Sequence, residues 1–194
     1  MLRLSAVAGG ICGVAIAAGG LGEILNDGKT APTEFLNGLS PAFGLAFLVG
    51  LYLAQRTAVG TFGTVAFMVN YIGLALFAGA AFARNFVLVH LPKSQVEELL
   101  EGRPLIAFLI AALLTLTGTV LFGLAMYRAG VVPRPAVLLY VVGFAPVCLS
   151  FLLPVLAVRT GHMVAGAGIL WLSLAIWSLH SVPAPRHTAA PAAR

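Results

Sequence analysis

The chain alternates between long stretches without charge and short segments that carry its charged residues. The charge-free stretches are residues 4–22, 35–55, 57–83, 104–127, 135–158 and 160–185, which are 19, 21, 27, 24, 24 and 26 residues long. About 20 consecutive apolar residues cross the hydrocarbon core of a bilayer as an α-helix. The pattern therefore predicts an all-α, polytopic transmembrane bundle of six helices.

The predicted helices fall within one transmembrane domain over residues 1–181, followed by a disordered tail over 182–194. They are expected at about 4–25, 39–55, 58–84, 104–127, 136–158 and 161–180. Pro146 and Pro154 lie inside the fifth helix, where proline removes a backbone hydrogen bond and kinks the helix. The loop between the third and fourth helices contains Ser94-Gln95-Val96-Glu97, the pattern of a capping box. We expect a short amphipathic helix there, over about residues 94–101.

Composition points to the same class of protein. Of the 194 residues, 60% are hydrophobic and 9% are charged, whereas about a quarter of residues are charged in a soluble domain. The net charge of +5 comes from Lys and Arg residues scattered among loops and termini, without the basic stripe of a nucleic-acid-binding surface. The lipid bilayer is therefore a predicted partner, and nucleic acid is not.

The distribution of Lys and Arg indicates an orientation. With the N-terminus in the cytoplasm, six of the eleven Lys and Arg residues lie inside and five lie outside, which agrees with the positive-inside rule. We expect a multi-pass protein of the cell membrane with both termini cytoplasmic. The first apolar run could instead be a secretory signal, but Glu23 stands where a signal peptide has a small-residue cleavage site. That favours a retained helix.

Glu23 is the acidic residue that plausibly lies within a membrane span, near the outer end of the first apolar run. Cys12, Ala15 and Gly19 precede it at helical spacing, so we expect Glu23 on a narrow face where neighbouring helices pack closely. An ionisable group at bilayer depth costs about 3 kcal/mol and marks a candidate functional site. We take Glu23 as a candidate catalytic proton donor. The alternative is a structural role, in which Glu23 forms an ion pair with Arg84 or Arg159 or reaches interfacial water.

Three further candidates lie within the apolar runs. Asn70 and Tyr71, near the middle of the third run, are candidate substrate-orienting groups, although an amide at that depth also serves for hydrogen bonding between helices. Trp171 is a candidate for sheltering a cationic intermediate with its ring face.

Glu34, Arg84 and His162 are substrate-binding candidates, because the predicted topology brings them to the same side of the membrane as Glu23. His90 and His162 could together bind a metal or haem, but histidines at helix ends are more often interfacial residues. We expect no metal site and no cofactor.

The Gly-rich first helix ending in Glu23, the run Thr117–Gly123 and its continuation Tyr127–Arg134 resemble a large bacterial family of small six-helix membrane proteins. That family is known only as a domain of unknown function, so the resemblance implies a fold and no particular activity. A second similarity is to membrane-bound terpene cyclases, helical bundles in which acidic residues protonate an isoprenoid. This second similarity consists of chain size, topology and an acidic residue within the membrane, and it includes no diagnostic sequence motif.

These observations predict a membrane protein that handles a lipophilic small molecule. The most specific form is acid-catalysed, terpene-type cyclisation of an isoprenoid, carried out by a membrane-embedded cyclase or isomerase with Glu23 as the acid. The alternative is a non-enzymatic transporter or an accessory or binding subunit. Gly- and Ala-rich helix faces also suit a homo-oligomer or a partner membrane protein.

Overall fold

A computed structural model of the chain describes residues 1–179. They form seven α-helices and one short 3₁₀ helix, and this part of the chain contains no β-strand. The helices are α1 Leu2–Leu25, α2 Ala31–Leu53, α3 Arg56–Phe86, α4 Lys93–Leu99, α5 Arg103–Ala129, α6 Arg134–Cys148 and α7 Val155–Leu179, and the 3₁₀ helix is Leu88–His90. The all-α prediction is confirmed. The predicted tail, and the predicted end of the last helix near residue 180, lie outside the described residues.

Five helices, α1, α2, α3, α5 and α7, are long and apolar enough to cross a membrane. The apolar helix α6 has 15 residues, which at 1.5 Å per residue reach about 22 Å, less than the ~30 Å of a hydrocarbon core. The prediction of a membrane protein is confirmed to this extent. The sixth crossing stays a prediction.

The predicted fifth helix, 136–158, is divided in the structure. α6 ends at Cys148, and a turn follows in which the backbone N–H of Leu152 donates to the carbonyl of Leu149. Pro154 stands immediately before α7, where its missing N–H costs no helical hydrogen bond. The last helix therefore begins at Val155 rather than at residue 161, and Arg159 lies inside it instead of in a loop.

Two other predicted boundaries also differ. α2 begins at Ala31 rather than at residue 39, because the side chains of Thr30 and Thr33 form a capping box at its N-terminus. A helix occupies the loop before α5, but it begins at Lys93 with Pro92 at its N-cap, and no side-chain hydrogen bond caps it. Its amphipathic character stays a prediction.

The six long helices form a ring in chain order. Each of α1, α2, α3, α5, α6 and α7 packs against the next, and α7 returns to pack against α1. Neighbours are antiparallel, so α1, α3 and α6 finish at the end of the bundle where α2, α5 and α7 begin. We call this the Glu23 end. The contact between α5 and α6 is the smallest around the ring.

Glycines allow the helices to approach closely. A Cβ atom on Gly13 of α1 would lie 2.8 Å from the carbonyl oxygen of Gly166 in α7, and one on Gly166 would lie 2.6 Å from the carbonyl oxygen of Gly13. On the other side of the ring, Gly73 of α3 lies against the backbone of Thr115 in α5. Such contacts between small residues are a usual basis of helix association in membranes.

Candidate functional site

Glu23 lies two residues before the end of α1, and the structure buries it. The carboxylate is on the same face as Cys12, Ala15 and Gly19, all of which are buried, and the residue is 8% exposed. This face points into the bundle, toward α2 and α7. An acidic side chain in such a position needs polar partners, because an unpaired buried charge is strongly unfavourable.

Two side chains from neighbouring helices supply those partners. The Asn37 side-chain amide, in α2, donates to Glu23 Oε1 at 2.9 Å, and Arg159 Nε, in α7, lies 3.6 Å from Glu23 Oε2. Arg159 Nη1 also lies 3.7 Å from Asp27 Oδ1, just beyond the end of α1. Of the two arginines considered from the sequence, Arg159 is the one paired with Glu23.

Local sequence explains how these partners reach the carboxylate. A side chain on Gly19 would collide with the Asn37 amide, so the missing Cβ leaves room for it. Gly20 packs in the same way against the backbone carbonyl of Arg159. The early start of α7 after Pro154 then places the Arg159 guanidinium beside α1. The site therefore depends on two adjacent glycines and on a helix boundary.

Two buried polar atoms at this site have no hydrogen-bond partner among residues 1–179. They are Asn37 Oδ1 and Arg159 Nε. The backbone carbonyl of Asn37 is also weakly paired, because Pro41 lacks the N–H that would bind it, and Ser40 Oγ is 3.4 Å away. Buried polar groups are usually satisfied by protein or by ordered water. The site therefore has hydrogen-bonding capacity available for a ligand or water.

A cavity of about 640 Å³ opens beside Glu23. Its polar lining lies at the Glu23 end of the bundle, and the largest parts of its apolar lining come from α3 and α5, with smaller parts from the 3₁₀ helix, α4, α6 and α7. Polar lining residues include Glu23, Lys29, Asn37, Arg84, Asn85, Ser150, Arg159 and His162, and apolar ones include Phe77, Leu105, Phe108, Leu109, Ala112 and Phe151. We call this the Glu23 cavity. It combines an apolar wall with a charged mouth.

A smaller pocket of about 30 Å³ adjoins this cavity and shares lining residues with it, among them Asn37 and His162. That volume accommodates roughly one water molecule. The His162 ring lies in the second turn of α7, with Nδ1 2.8 Å from the carbonyl oxygen of Val158. Because a carbonyl oxygen only accepts, Nδ1 carries a hydrogen. Nε2 of the neutral ring is then an acceptor.

Lys29 and Arg84 meet at the cavity mouth from different elements. Lys29 Nζ donates to Asn85 Oδ1 at 2.7 Å, and Arg84 Nη1 donates to Ser150 Oγ at 3.4 Å. Within residues 1–179, no carboxylate lies in ion-pair distance of either cation. Partial burial lowers the pKa of Lys29 and the charge of Arg84 lowers it further, whereas Glu23 and Glu34 act in the opposite direction.

The remaining predicted residues lie elsewhere. Glu34 is half-buried in the first turn of α2, close enough to influence Lys29 but outside the cavity lining. Tyr71 packs with its ring centroid 5.7 Å from that of Phe67. Trp171 is 44% exposed on the surface of α7. The structure brings Glu23, Arg84 and His162 to one cavity, and it does not bring Glu34, Tyr71 or Trp171 there.

Asn70 belongs to a separate, fully buried hydrogen-bond network. Its side-chain amide donates to the Tyr140 hydroxyl at 3.1 Å, and the Thr119 hydroxyl donates to Asn70 Oδ1 at 3.1 Å. The network ties α3 to α5 and α6. This is the interhelical bonding that the sequence left open as the alternative for Asn70, and the residue does not line the Glu23 cavity.

Sequence reasoning missed Asn37 and Lys29. The second helix expected from the sequence begins at residue 39, which places Asn37 in a loop, and no pattern in the sequence distinguishes Lys29 within the first loop. One signal was present: Pro41 follows Asn37 by four residues, the spacing at which proline frees a carbonyl inside a helix.

No group of three or more His, Cys, Asp or Glu side chains in residues 1–179 is placed to hold a metal ion. Of the two histidines among residues 1–179, His162 lines the cavity and His90 is exposed in the 3₁₀ helix. Comparison with known proteins found no matching family model, no matching curated sequence and no matching solved structure. The function is therefore argued from the geometry of this chain alone.

Proposed function

We propose that the chain is an integral membrane protein that takes a lipophilic small molecule into the Glu23 cavity. One observation carries this proposal: a buried, partnered carboxylate stands at the polar end of an otherwise largely apolar cavity of about 640 Å³. Cavities of roughly 300–1,000 Å³ with a few convergent polar groups are typical of small-molecule sites. The small contact between α5 and α6 supports access from the side, within the bilayer.

The most specific form of the proposal is acid-catalysed cyclisation of an isoprenoid. The Glu23 carboxyl group donates its proton to a carbon–carbon double bond, and a second double bond closes the ring onto the resulting cation. A neighbouring carbon then loses a proton to the Glu23 carboxylate, which regenerates the acid. The net reaction is an isomerisation, so it needs no oxidant or cofactor. General acid catalysis of this kind contributes roughly 10²–10⁴-fold in rate.

The contacts of the Glu23 carboxylate also support the non-enzymatic alternative, a binding or accessory subunit. Both Glu23 oxygens already face donors, Asn37 on one side and Arg159 on the other. Proton donation requires the neutral carboxyl group, and therefore requires the Arg159 guanidinium to leave Oε2 when the ligand binds. If the ion pair persists, Glu23 orders the cavity mouth, and the protein is a binding or accessory subunit.

The experiment separates binding from catalysis. The purified full chain in nanodiscs is given a linear polyprenyl substrate, and both bound ligand and isomeric products are measured. Glu23→Gln is expected to lower product formation by about 100-fold or more while keeping ligand binding. The matched control is Glu98→Gln, which removes an exposed carboxylate of α4 outside the cavity lining and is expected to change neither quantity.

Three outcomes are decisive. No ligand binding by the unmodified chain contradicts the whole proposal. Binding that is lost when Ala112→Phe fills the cavity, without product from any variant, selects the non-enzymatic alternative. Product formation that Glu23→Gln leaves unchanged excludes Glu23 as the acid.

A further inference from the structure

The charges at the mouth of the Glu23 cavity do not balance. The charged lining residues are Lys29, Arg84 and Arg159, which are cationic, and Glu23, which is anionic. Arg159 is paired with Glu23 and Asp27. This leaves Lys29 and Arg84, both exposed at the mouth of an apolar-walled cavity, without a carboxylate in ion-pair distance in the described chain. Cations in such positions are stabilised most by an anion that brings its own charge.

We propose that the ligand of the Glu23 cavity is an amphiphile whose anionic head group, a phosphate or carboxylate, is held by Lys29 and Arg84 while its apolar chain occupies the cavity. This inference rests on the proposed function, because it assigns a chemical class to the molecule that the cavity takes up.

The hydrogen-bonding capacity of the two cations fits this role. An ammonium has three donors and a guanidinium has five, and each cation is seen to use one of them on a neutral oxygen, that of Asn85 or Ser150. Those neutral partners fix the positions of the cations without neutralising them. Asn85 is itself held in place, since its amide donates to the Ala81 carbonyl at 2.8 Å. Several donors therefore remain for an anion with two or three oxygens.

The apolar part of the cavity fits the rest of the ligand. Phe108 and Leu109 of α5 and Phe151, in the turn after α6, line it on the side where the ring of helices is least tightly joined. Charge at one end and apolar surface at the other is the pattern of an amphiphile with one charged head group.

The test compares two ligands that differ only in the head group. The full chain in nanodiscs of zwitterionic lipid is titrated with a polyprenyl monophosphate and with the polyprenyl alcohol of equal length, each displacing a fluorescent fatty alcohol. The monophosphate is expected to bind about tenfold tighter or more, since its phosphate oxygens accept charge-assisted hydrogen bonds from both cations and the hydroxyl of the alcohol carries no charge. The preference is expected to fall as salt concentration rises.

Matched variants test which cations cause the preference for the monophosphate over the alcohol. Lys29→Gln with Arg84→Gln is expected to bring the two affinities to within about twofold of each other. Lys93→Gln with Arg103→Gln removes two cations in the neighbouring loop and at the start of α5, both outside the cavity lining, and is expected to leave the preference intact. Thermal unfolding confirms that each variant is folded.

The outcomes separate this inference from the proposed function. Equal binding of the alcohol and the monophosphate overturns the anionic head group and leaves the proposed function standing, whereas binding of neither ligand overturns the proposed function itself. Inorganic phosphate that competes as strongly as the amphiphile identifies a free-phosphate site and overturns the inference. A phosphate preference that survives filling of the cavity, by Ala112→Phe or by Leu109→Trp, places recognition outside the cavity and overturns it as well.

Discussion

At the scale of single residues, the bundle contains two polar arrangements with different roles. Glu23 is partnered at the edge of a cavity, whereas Asn70 is fully buried and satisfied by Tyr140 and Thr119. A polar group inside a membrane protein that has found its partners serves packing between helices. One with spare hydrogen-bonding capacity beside a cavity is a candidate for ligand contact. We therefore assign a role in stability to Asn70, and the surroundings of Glu23 stay the candidate for ligand contact.

The assignment for Asn70 predicts the effect of one substitution. Thr119→Val removes the donor to Asn70 Oδ1 and leaves that oxygen buried without this partner. We expect a loss of about 0.6–1.7 kcal/mol in unfolding free energy, between the mean and the maximum measured for such bonds inside membranes. Thr117→Val, on the exposed side of the same helix, is the control and is expected to have little effect. Equal destabilisation of the two variants in detergent unfolding would contradict the assignment.

At the scale of secondary structure, the division of the predicted fifth helix has the largest consequence. Because α6 ends at Cys148 and α7 begins at Val155, Arg159 sits in the second turn of a helix that packs against α1. Gly13, Gly20 and Gly166 keep α1 and α7 in close contact. The ion pair with Glu23 thus follows from a proline position and from glycines on two facing helices.

This close contact predicts a difference between two glycines of α1. Gly13→Ala places a Cβ 2.8 Å from the Gly166 carbonyl oxygen and 3.0 Å from the backbone nitrogen of Leu170, atoms that cannot move without moving α7. We expect this substitution to lower the free energy of unfolding by about 1–3 kcal/mol. Gly10→Ala meets nothing within 4 Å, so stability should be unchanged or rise by up to about 1 kcal/mol. Thermal unfolding in detergent compares them, and a loss of the same size in both variants would contradict the role of close contact.

At the scale of the whole molecule, the ring of helices determines which residues meet at each end. The six long helices alternate in direction around the ring. They bring the α1–α2 loop, the end of α3 and the α6–α7 turn together at the Glu23 end, and they leave the start of α1 and the end of α7 at the opposite end of the bundle. The cavity lies where α5 and α6 make their small contact. The open side of the ring and the charged mouth are therefore parts of one architecture.

A topology with six membrane crossings predicts a labelling pattern for single cysteines placed at exposed positions. With cytoplasmic termini, Gln95→Cys is expected to react with a membrane-impermeant maleimide on intact cells, and Thr57→Cys and Ser178→Cys only after permeabilisation. The native Cys12 and Cys148 are both buried. If Ser178→Cys reacted like Gln95→Cys, α6 would not cross the membrane. A fully inverted pattern would keep six crossings and reverse the orientation.

Part of the candidate site was predictable because it depends on local geometry. Helical spacing alone put Glu23 on the small-residue face, and up-and-down topology alone put Arg84 and His162 at its end of the bundle. Asn37 and Lys29 were not found, because their importance comes from contacts across the ring. The choice of Arg159 over Arg84 as the partner of Glu23 also needed the observed start of α7.

What the sequence by itself determined is the all-α character of the chain, with several helices apolar enough to cross a membrane, and the inward face of α1. In lipid each backbone polar group must be satisfied within its own segment, so apolar length alone predicts helices. Only the tertiary structure decided where α6 stops, which cation pairs with Glu23, and that a cavity remains between loosely joined helices. These depend on side chains that are distant in sequence and meet only when the ring closes.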